Sequence, residues 1–414
     1  MLSNLKVGTK LLAVAAAPLL LALLLAFIGI GDRRADAAAA SDTEQLVAFS
    51  GDTAQLVDAL QSERTATADQ VASGATVNEL TALREVTDTN AAAFDASRNG
   101  LPADRELTVA IDEAVTALEG LEGMRQRVDD ASADTGVVAE YTQVVDRLFE
   151  VQREVAEQPA LGSATNDVLS LIEIGEAKEL GARIAAVTAV AFGSDASELG
   201  VAPAVGAELA QLEAARLDAA DRLEQLPSDE ATELAARAFT EWSQSSELDN
   251  LMTIFVATAN TGTVGDSDRA RLDAATEGYV SALREAENSA AVASEERAAA
   301  ISSSASSNAR NFMIIWLIAA VVSIVLAVVL AKALTRRLIR LTGAADDLAE
   351  TQLPSLVEQL ASPPEDGEQE IPRPEPVDVQ GSDEIGQLAD SFNKVQNVAY
   401  DVAIKQGKML EKGI

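Results

Sequence analysis

The sequence lacks several residue types that common active sites need. Its 414 residues include no cysteine and no histidine, and only 3% are aromatic. The absence of cysteine excludes a disulfide framework and a thiolate metal site. The absence of histidine excludes a phosphoaccepting histidine, a Ser–His–Asp triad and a histidine-ligated metal within these residues. With so few aromatics, a core has to be built from Ala, Leu and Val, which favours helices over sheets.

Positive charge is also scarce. The formal net charge of −35 argues against nucleic acid as a partner, because a phosphate backbone needs a basic surface. Residues 32–311 hold 51 Asp and Glu against 20 Arg and Lys, an excess of 51 − 20 = 31, and Lys178 is the only lysine. This excess is typical of a solvated acidic surface that keeps an exported domain soluble. Because it repels small anions at long range, an anion site has to be a local, partly buried arginine cluster, which screening over about 8–10 Å permits.

One long stretch has neither charge nor proline. Residues 312–331 read FMIIWLIAAVVSIVLAVVLA, and about twenty helical residues cross the roughly 30 Å hydrocarbon core of a bilayer. Lys332, Arg336, Arg337 and Arg340 follow at once, and such basic clusters stay on the cytoplasmic side. The pattern therefore predicts a transmembrane helix that leaves the membrane inward near Ala331.

A second uncharged run covers residues 11–30. A cleaved signal peptide is the rival interpretation, but a signal core is usually about 7–15 residues long, so the length favours an uncleaved anchor. The prediction is a two-pass protein of the plasma membrane, with residues 1–10 and 332–414 in the cytoplasm and residues 32–311 outside the cell.

The outer segment has helical periodicity throughout and no strand signals. In its first part Leu46, Phe49, Thr53, Leu56 and Leu60 step by three and four. Capping signals, among them Thr76 with Glu79 and also Ser194, together with breakers predict eight helices, near 37–73, 77–98, 103–130, 137–157, 164–192, 195–225, 229–258 and 266–311. The predicted fold class is all-α, with the eight helices forming a pair of stacked four-helix bundles between the two transmembrane helices.

Two arginines of this segment are candidates for an inward-facing charge. Arg64 lies on the apolar stripe of the first helix, and no carboxylate stands three or four residues from it. Arg183 has a similar apolar face, but Glu179 stands at i−4, which is favourable for an intrahelical ion pair. For both, the alternative is an arginine whose stem covers apolar surface while its head reaches water.

The same stretches resemble a known sensor family. Residues 60–65 (LQSERT) resemble the L-Q-x-E-R-G signature of the nitrate- and nitrite-sensing (NIT) domain, and residues 141–148 (YTQVVDRL) and 178–183 (KELGAR) resemble two further segments of it. The resemblance covers about residues 46–290 and implies two stacked helical bundles whose inward arginines bind the anion. It implicates Arg64 and Arg183. Thr65 and Gly181–Ala182 depart from the family pattern.

The cytoplasmic part carries two heptad segments. Leu334, Leu338, Leu341, Ala345 and Leu348 continue the membrane helix in steps of four and three, and Pro354 ends or kinks it. A proline-rich acidic stretch, residues 361–381, predicts an extended connector. A second helix then begins at Asp383-Glu384-Ile385-Gly386 and continues its seam through Leu388, Phe392, Val395, Ala399 and Val402.

Two parallel heptad helices joined by an extended connector after a membrane span resemble a HAMP domain, here residues 332–403. The resemblance implies a parallel four-helix bundle made by two chains, hence a homodimer. It assigns signal relay to Leu338, Leu341, Leu348, Asp383, Glu384, Ile385, Leu388 and Phe392. An ordinary coiled-coil stalk also predicts a dimer but does not explain the connector.

Together these features predict the input and relay half of a membrane sensor histidine kinase, which binds nitrate, nitrite or a similar small anion outside the cell. Residues 404–414 are the expected start of a signalling helix that leads to the output. No Walker lysine, glycine-rich phosphate loop or cluster of catalytic carboxylates is present, so these residues are expected to be no enzyme and to need no cofactor or metal. The alternatives are a chemoreceptor or cyclase input for another ligand, and a structural membrane stalk.

Overall fold

The computed structural model describes residues 7–74, 78–191, 203–226, 230–239, 247–259, 265–355, 358, 373, 375–377 and 384–412, except for the side chains of residues 7–19, of residues 406–412 and of several residues at other helix ends. The chain forms two units. One comprises Met1–Gly31 with Arg310–Ile414, and the other is Asp32–Ala309. The described residues form helices and no strand, which confirms the all-α prediction.

Eleven α-helices are numbered here in chain order over the described residues. They are α1 Val7–Ser73, α2 Leu80–Ser97, α3 Arg105–Glu119, α4 Leu121–Asp129, α5 Gly136–Ala156, α6 Thr165–Ala191, α7 Pro203–Leu223, α8 Glu230–Phe239, α9 Glu247–Ala259, α10 Asp266–Asp347 and α11 Glu384–Lys412. A 3₁₀ segment, Pro159–Ala164, precedes α6.

One of the predicted helices is divided in the structure. The predicted helix 103–130 is interrupted at Gly120, which separates α3 from α4. Its start is set by Asp104, whose carboxylate accepts a hydrogen bond from the Leu107 amide at 2.9 Å, as N-caps do. The predicted helix 229–258 appears as α8 and α9. The predicted caps Thr76 and Ser194 lie outside the described residues.

The unit Asp32–Ala309 contains two hydrophobic clusters. The first is built mainly from α1–α5 and includes Phe49, Phe94 and Tyr141, and the second is built mainly from α6, α7, α9 and α10 and includes Phe255 and Tyr279. Each cluster also takes residues from both α1 and α6. These two helices therefore lie between the two cores.

Helix α6 is buried on nearly all sides, because it packs against both clusters. Val168, Ile172 and Ala186 join the first cluster, whereas Ile174 and Ile184 join the second. Its sequence correspondingly shows no single apolar stripe, as expected for a helix in the interior of a domain. Charged residues in the middle of such a helix have to be paired inside the protein.

Two glycines let α10 approach α6 closely. A Cβ built on Gly181 would lie 2.6 Å from Cδ1 of Tyr279, and one on Gly175 would lie 2.7 Å from Oε1 of Glu287. Larger residues at these positions would push α10 away. The NIT pattern usually has an apolar residue at position 181. In this chain the close approach of Tyr279 explains why glycine occupies that position.

In the other unit, the start of α1 contacts the apolar part of α10. A Cβ on Gly29 would lie 3.0 Å from Cζ of Phe312. Among the residues described, one helix is long and apolar enough to cross a membrane, the segment Ser267–Ser355 that contains α10. Residues 11–30 are helical, but the side chains of residues 11–19 lie outside those described.

Helix α10 passes into a π-helical turn, Leu348–Gln352, where the Leu353 amide bonds to the Leu348 carbonyl. Pro354 follows Leu353 and lacks the amide that an α-helical ladder would use, which accounts for the local π-helical winding. The helical segment continues to Ser355, so it does not end at Pro354. Most of the predicted connector 361–381 lies outside the described residues. Within this connector, the Val377 amide donates a hydrogen bond to Oδ1 of Asn393 on α11 at 2.8 Å. The Val377 carbonyl accepts one from Nδ2 of Asn393 at 3.1 Å.

Candidate functional site

Arg64 is a fully buried charged residue of the α1–α6 contact. Its side chain is 0% exposed, and its two terminal nitrogens donate to the two oxygens of Glu179 on α6, at 2.7 and 3.0 Å. This two-bond contact between guanidinium and carboxylate is the strong form of an ion pair. The snorkelling alternative is therefore wrong for Arg64, since its head group stays inside the protein.

Arg183, which lies on α6 with Glu179, also binds the Glu179 carboxylate. Its Nε donates to Oε1 of Glu179 at 2.6 Å, and its Nη2 donates to Asp146 of α5. The ion pair predicted between Arg183 and Glu179 is thus present. The structure also brings the two arginines singled out from the sequence onto one carboxylate oxygen, because Arg64 Nη1 binds Oε1 as well.

Two neutral side chains complete the surroundings of Glu179. Gln61 on α1 donates from Nε2 to Oε2 of Glu179 at 2.8 Å, and Thr142 on α5 accepts a bond from Arg64 Nη1 at 3.1 Å. Among the residues that the structure describes, Nε of Arg64 has no hydrogen-bond partner although it is buried. An unmet buried donor costs about 1–3 kcal/mol, so Arg64 retains capacity for a further acceptor. We call Arg64, Thr142, Asp146, Glu179 and Arg183 the arginine cluster.

Glu179 remains ionised within this cluster. Burial raises the pKa of its carboxyl group, but the charges and hydrogen bonds of Arg64 and Arg183 outweigh burial and hold the pKa below its usual value. The Glu179 carboxylate thus lies between two guanidinium groups that favour its charged form.

A second buried group lies one residue earlier on α6. Lys178, the only lysine of residues 32–311, is fully buried and donates to Asp58 of α1 at 2.8 Å and to Glu287 of α10. Burial lowers the pKa of Lys178, but the two carboxylates outweigh burial and raise it. The lysine therefore ties α6 to both α1 and α10.

Arg284 on α10 connects this second group to residues 60–65 of α1, the segment that resembles the NIT signature. Its Nε donates to Asp58 at 2.7 Å, and its Nη2 donates to Ser62 at 3.3 Å. We call Asp58, Lys178, Arg284 and Glu287 the lysine cluster. None of these four residues was predicted as a site residue from the sequence. The one signal that could have found Lys178 is that it is the single lysine in a long arginine-containing segment.

Glu63, the neighbour of Arg64, has a buried network of its own. Arg125 of α4 donates to its two oxygens at 2.7 and 2.9 Å, and the Tyr141 hydroxyl of α5 donates at 2.7 Å. Burial raises the pKa of Glu63, but bonds from Arg125, Thr87 and Tyr141 outweigh burial and lower it. This network fixes α1 in the first core directly beside the arginine cluster.

Comparison with known proteins assigns the chain to a family. The family model described as nitrate and nitrite sensing matches residues 55–294, more than half of the chain, and a HAMP domain model matches residues 329–397. The chain belongs to the NIT family. The matched range contains all members of both clusters.

A solved structure has the same overall fold. The structure of the NasR transcription antiterminator is 17% identical, with a TM-score of 0.57, over 92% of this chain and 96% of that one. At this level of identity the likeness concerns the fold alone. No curated protein matches the chain significantly.

The relay residues assigned to the HAMP domain differ in burial within one chain. Leu341 and Leu348 are buried, Leu338, Ile385 and Phe392 are half-buried, Glu384 and Leu388 are exposed, and Asp383 lies outside the described residues. Leu388, Val395 and Val402 are exposed apolar residues that recur every seven positions on α11. This spacing is typical of a coiled-coil seam.

Proposed function

We propose that this NIT–HAMP signal transducer detects nitrate or nitrite outside the cell through the arginine cluster. The observation that carries the proposal is the meeting of Arg64 and Arg183 on one planar carboxylate, inside a chain of the nitrate- and nitrite-sensing family. Nitrate presents a similar planar pair of oxygens, and the guanidinium fork suits such an edge. Metal and cofactor play no part in this proposal.

The ligand assignment is tested by calorimetry on the full chain in detergent micelles. Sodium nitrate and sodium nitrite should bind, and sodium sulfate should bind more weakly, because it is tetrahedral and doubly charged in a cluster with two anionic residues. If neither nitrate nor nitrite binds the wild-type chain, the proposed function is wrong.

We further propose a two-pass topology, with α1 and α10 both crossing the plasma membrane and the NIT domain outside. Leu20, Leu24, Phe27 and Ile28 of α1 are exposed apolar residues, as lipid-facing residues are. A reporter enzyme that is active only outside the cytoplasm should be active when fused at Gly100 and inactive when fused at Gly381. The reverse pattern would contradict the orientation.

We also propose that two chains pair through their HAMP domains and pass the signal to a histidine-kinase output. The heptad-spaced exposed residues of α11 support the pairing. Cysteines placed in the cysteine-free chain at Leu388 or Val395 should form disulfides across the dimer, whereas cysteines at Gln387 or Asn397 should form few. Equal yields at the four positions would count against a specific bundle.

A further inference from the structure

The positive and negative charges of the arginine cluster are already equal in number, so an additional anion would leave an excess negative charge. Two cations, Arg64 and Arg183, are matched by two carboxylates, Asp146 and Glu179, and each contact is a direct hydrogen bond. A nitrate added to this set would leave one negative charge without a partner in a buried place, which is strongly unfavourable. Nitrate binding therefore requires that either Asp146 or Glu179 moves away from the arginines.

Burial indicates which carboxylate is exchanged. The Arg64 side chain is fully buried and that of Glu179 is 5% exposed, whereas Arg183 and Asp146 are 27% and 52% exposed. Because Arg64 has no exposed surface, an anion from solvent reaches it only after a side chain has moved. Asp146 at the surface touches Arg183 but not Arg64, so its departure would leave Arg64 covered by Glu179.

The position of Glu179 is also the position that suits the ligand. Its two oxygens accept from both terminal nitrogens of Arg64, and one of them accepts from Arg183. A planar oxyanion in the same place would receive the same bonds through two of its oxygens.

We propose that the Glu179 carboxylate is an internal competitor that occupies the anion site and must be displaced by the ligand. This inference rests on the proposed nitrate-sensing function and deepens it. Displacement exchanges the direct bond between α1 and α6 for bonds from both arginines to the ligand. The Arg64–Glu179 contact between α1 and α6 then depends on the anion concentration, whereas the Lys178–Asp58 contact does not.

The test is nitrate calorimetry on the full chain in detergent micelles, with wild type, Glu179→Gln and Glu176→Gln. Removal of a competing charge-assisted bond should tighten nitrate binding by about tenfold or more in Glu179→Gln. Glu176 lies three residues earlier on α6 and pairs with Arg153 and Arg222, not with Arg64. Glu176→Gln makes the same change in net charge and should shift affinity by no more than about twofold, because its partners lie outside the arginine cluster.

The opposite result decides against the competitor. If wild type binds nitrate and Glu179→Gln binds it more weakly, Glu179 supports the site, and the inference is wrong while the proposed function stands. If only Glu179→Gln binds nitrate, Glu179 closes the site in the wild type, and both the displacement by the ligand and the proposed function are wrong. If neither chain binds, both the inference and the proposed function are wrong.

Glu179→Gln leaves Arg64 buried without a counterion, so its folding needs its own measurement. The thermal midpoint should rise more steeply with nitrate in Glu179→Gln than in wild type. If this variant does not fold at any nitrate concentration, Glu179→Asp decides the question, since its shorter carboxylate retracts from Arg64. It should bind nitrate more tightly than wild type, and weaker binding would overturn the inference.

Discussion

Replacement of Arg64 by alanine should abolish nitrate binding or weaken it by about 10- to 150-fold, the range that follows from losing a charge-assisted bond of about 1.5–3 kcal/mol. The reason is that Arg64 supplies two of the bonds that Glu179 now receives and is the cation without access to solvent. Calorimetry on the full chain measures the ratio. Arg64→Lys should also lose most of the affinity, because an ammonium group cannot reproduce the planar fork.

Arg147→Ala is the matched control. Arg147 lies on α5, one residue after Asp146, but its side chain is 46% exposed and pairs with Glu113 and Glu150. Its removal changes net charge as Arg64→Ala does and should leave the nitrate affinity within about twofold, because exposed charges are screened. Equal nitrate binding by wild type and Arg64→Ala would show that the site has been assigned to the wrong arginine.

Replacement of Lys178 by methionine should have the largest effect on stability, a loss of about 3–5 kcal/mol in the free energy of unfolding, as when one partner of a buried ion pair is removed. Asp58 keeps Arg284, but the Glu287 carboxylate, 4% exposed, loses the lysine that neutralises it. Urea titration of the full chain, followed by circular dichroism, measures the loss. Lys178→Met with Glu287→Leu should recover most of it, since both buried charges are then gone.

The loss in Lys178→Met should depend on pH. Burial raises the pKa of Glu287 even beside Lys178, and without the lysine this effect is larger. The folded variant then binds a proton that the unfolded chain has released, so its stability falls as pH rises through the folded pKa. The deficit relative to wild type should be smallest in acid and grow toward neutral pH.

Arg153→Met provides the control for Lys178→Met. Arg153 joins α5 to Glu176 of α6, but its side chain is 51% exposed. Exposed pairs contribute about 0–1 kcal/mol, so the loss should stay within that range. A Lys178→Met variant as stable as Arg153→Met would contradict the structural role of the lysine cluster.

The helices of this protein could be predicted from local patterns, whereas their divisions could not. The apolar spacing of residues 46–60 and the end of α1 near Ser73 follow from three- and four-residue steps. Gly120 divides a predicted helix, although a single glycine costs a helix only about 1 kcal/mol and carries no clear stop signal. Helix α6 shows why periodicity alone is limited, because a helix between two cores has no polar face.

The site could be predicted only in part. The inward position of Arg64 follows from its apolar neighbours, and the Arg183–Glu179 pair follows from i−4 spacing. The partner of Arg64, however, comes from 115 positions further along the chain, and no local rule specifies it. Asp58 and Glu287 likewise look like ordinary surface carboxylates in the sequence, and only the packing of α1, α6 and α10 brings them to Lys178.

The central claim is that an anion bound in the NIT domain changes the packing of the HAMP helices. Its most direct test is the rate of disulfide formation in full-chain Leu388→Cys, in membranes, with and without saturating nitrate. A coupling of about 1–3 kcal/mol corresponds to a population shift of roughly 5- to 150-fold, so nitrate should change the rate at least severalfold, and Arg64→Ala should remove the change. Equal rates with and without nitrate, in a chain that calorimetry shows to bind it, would contradict the account.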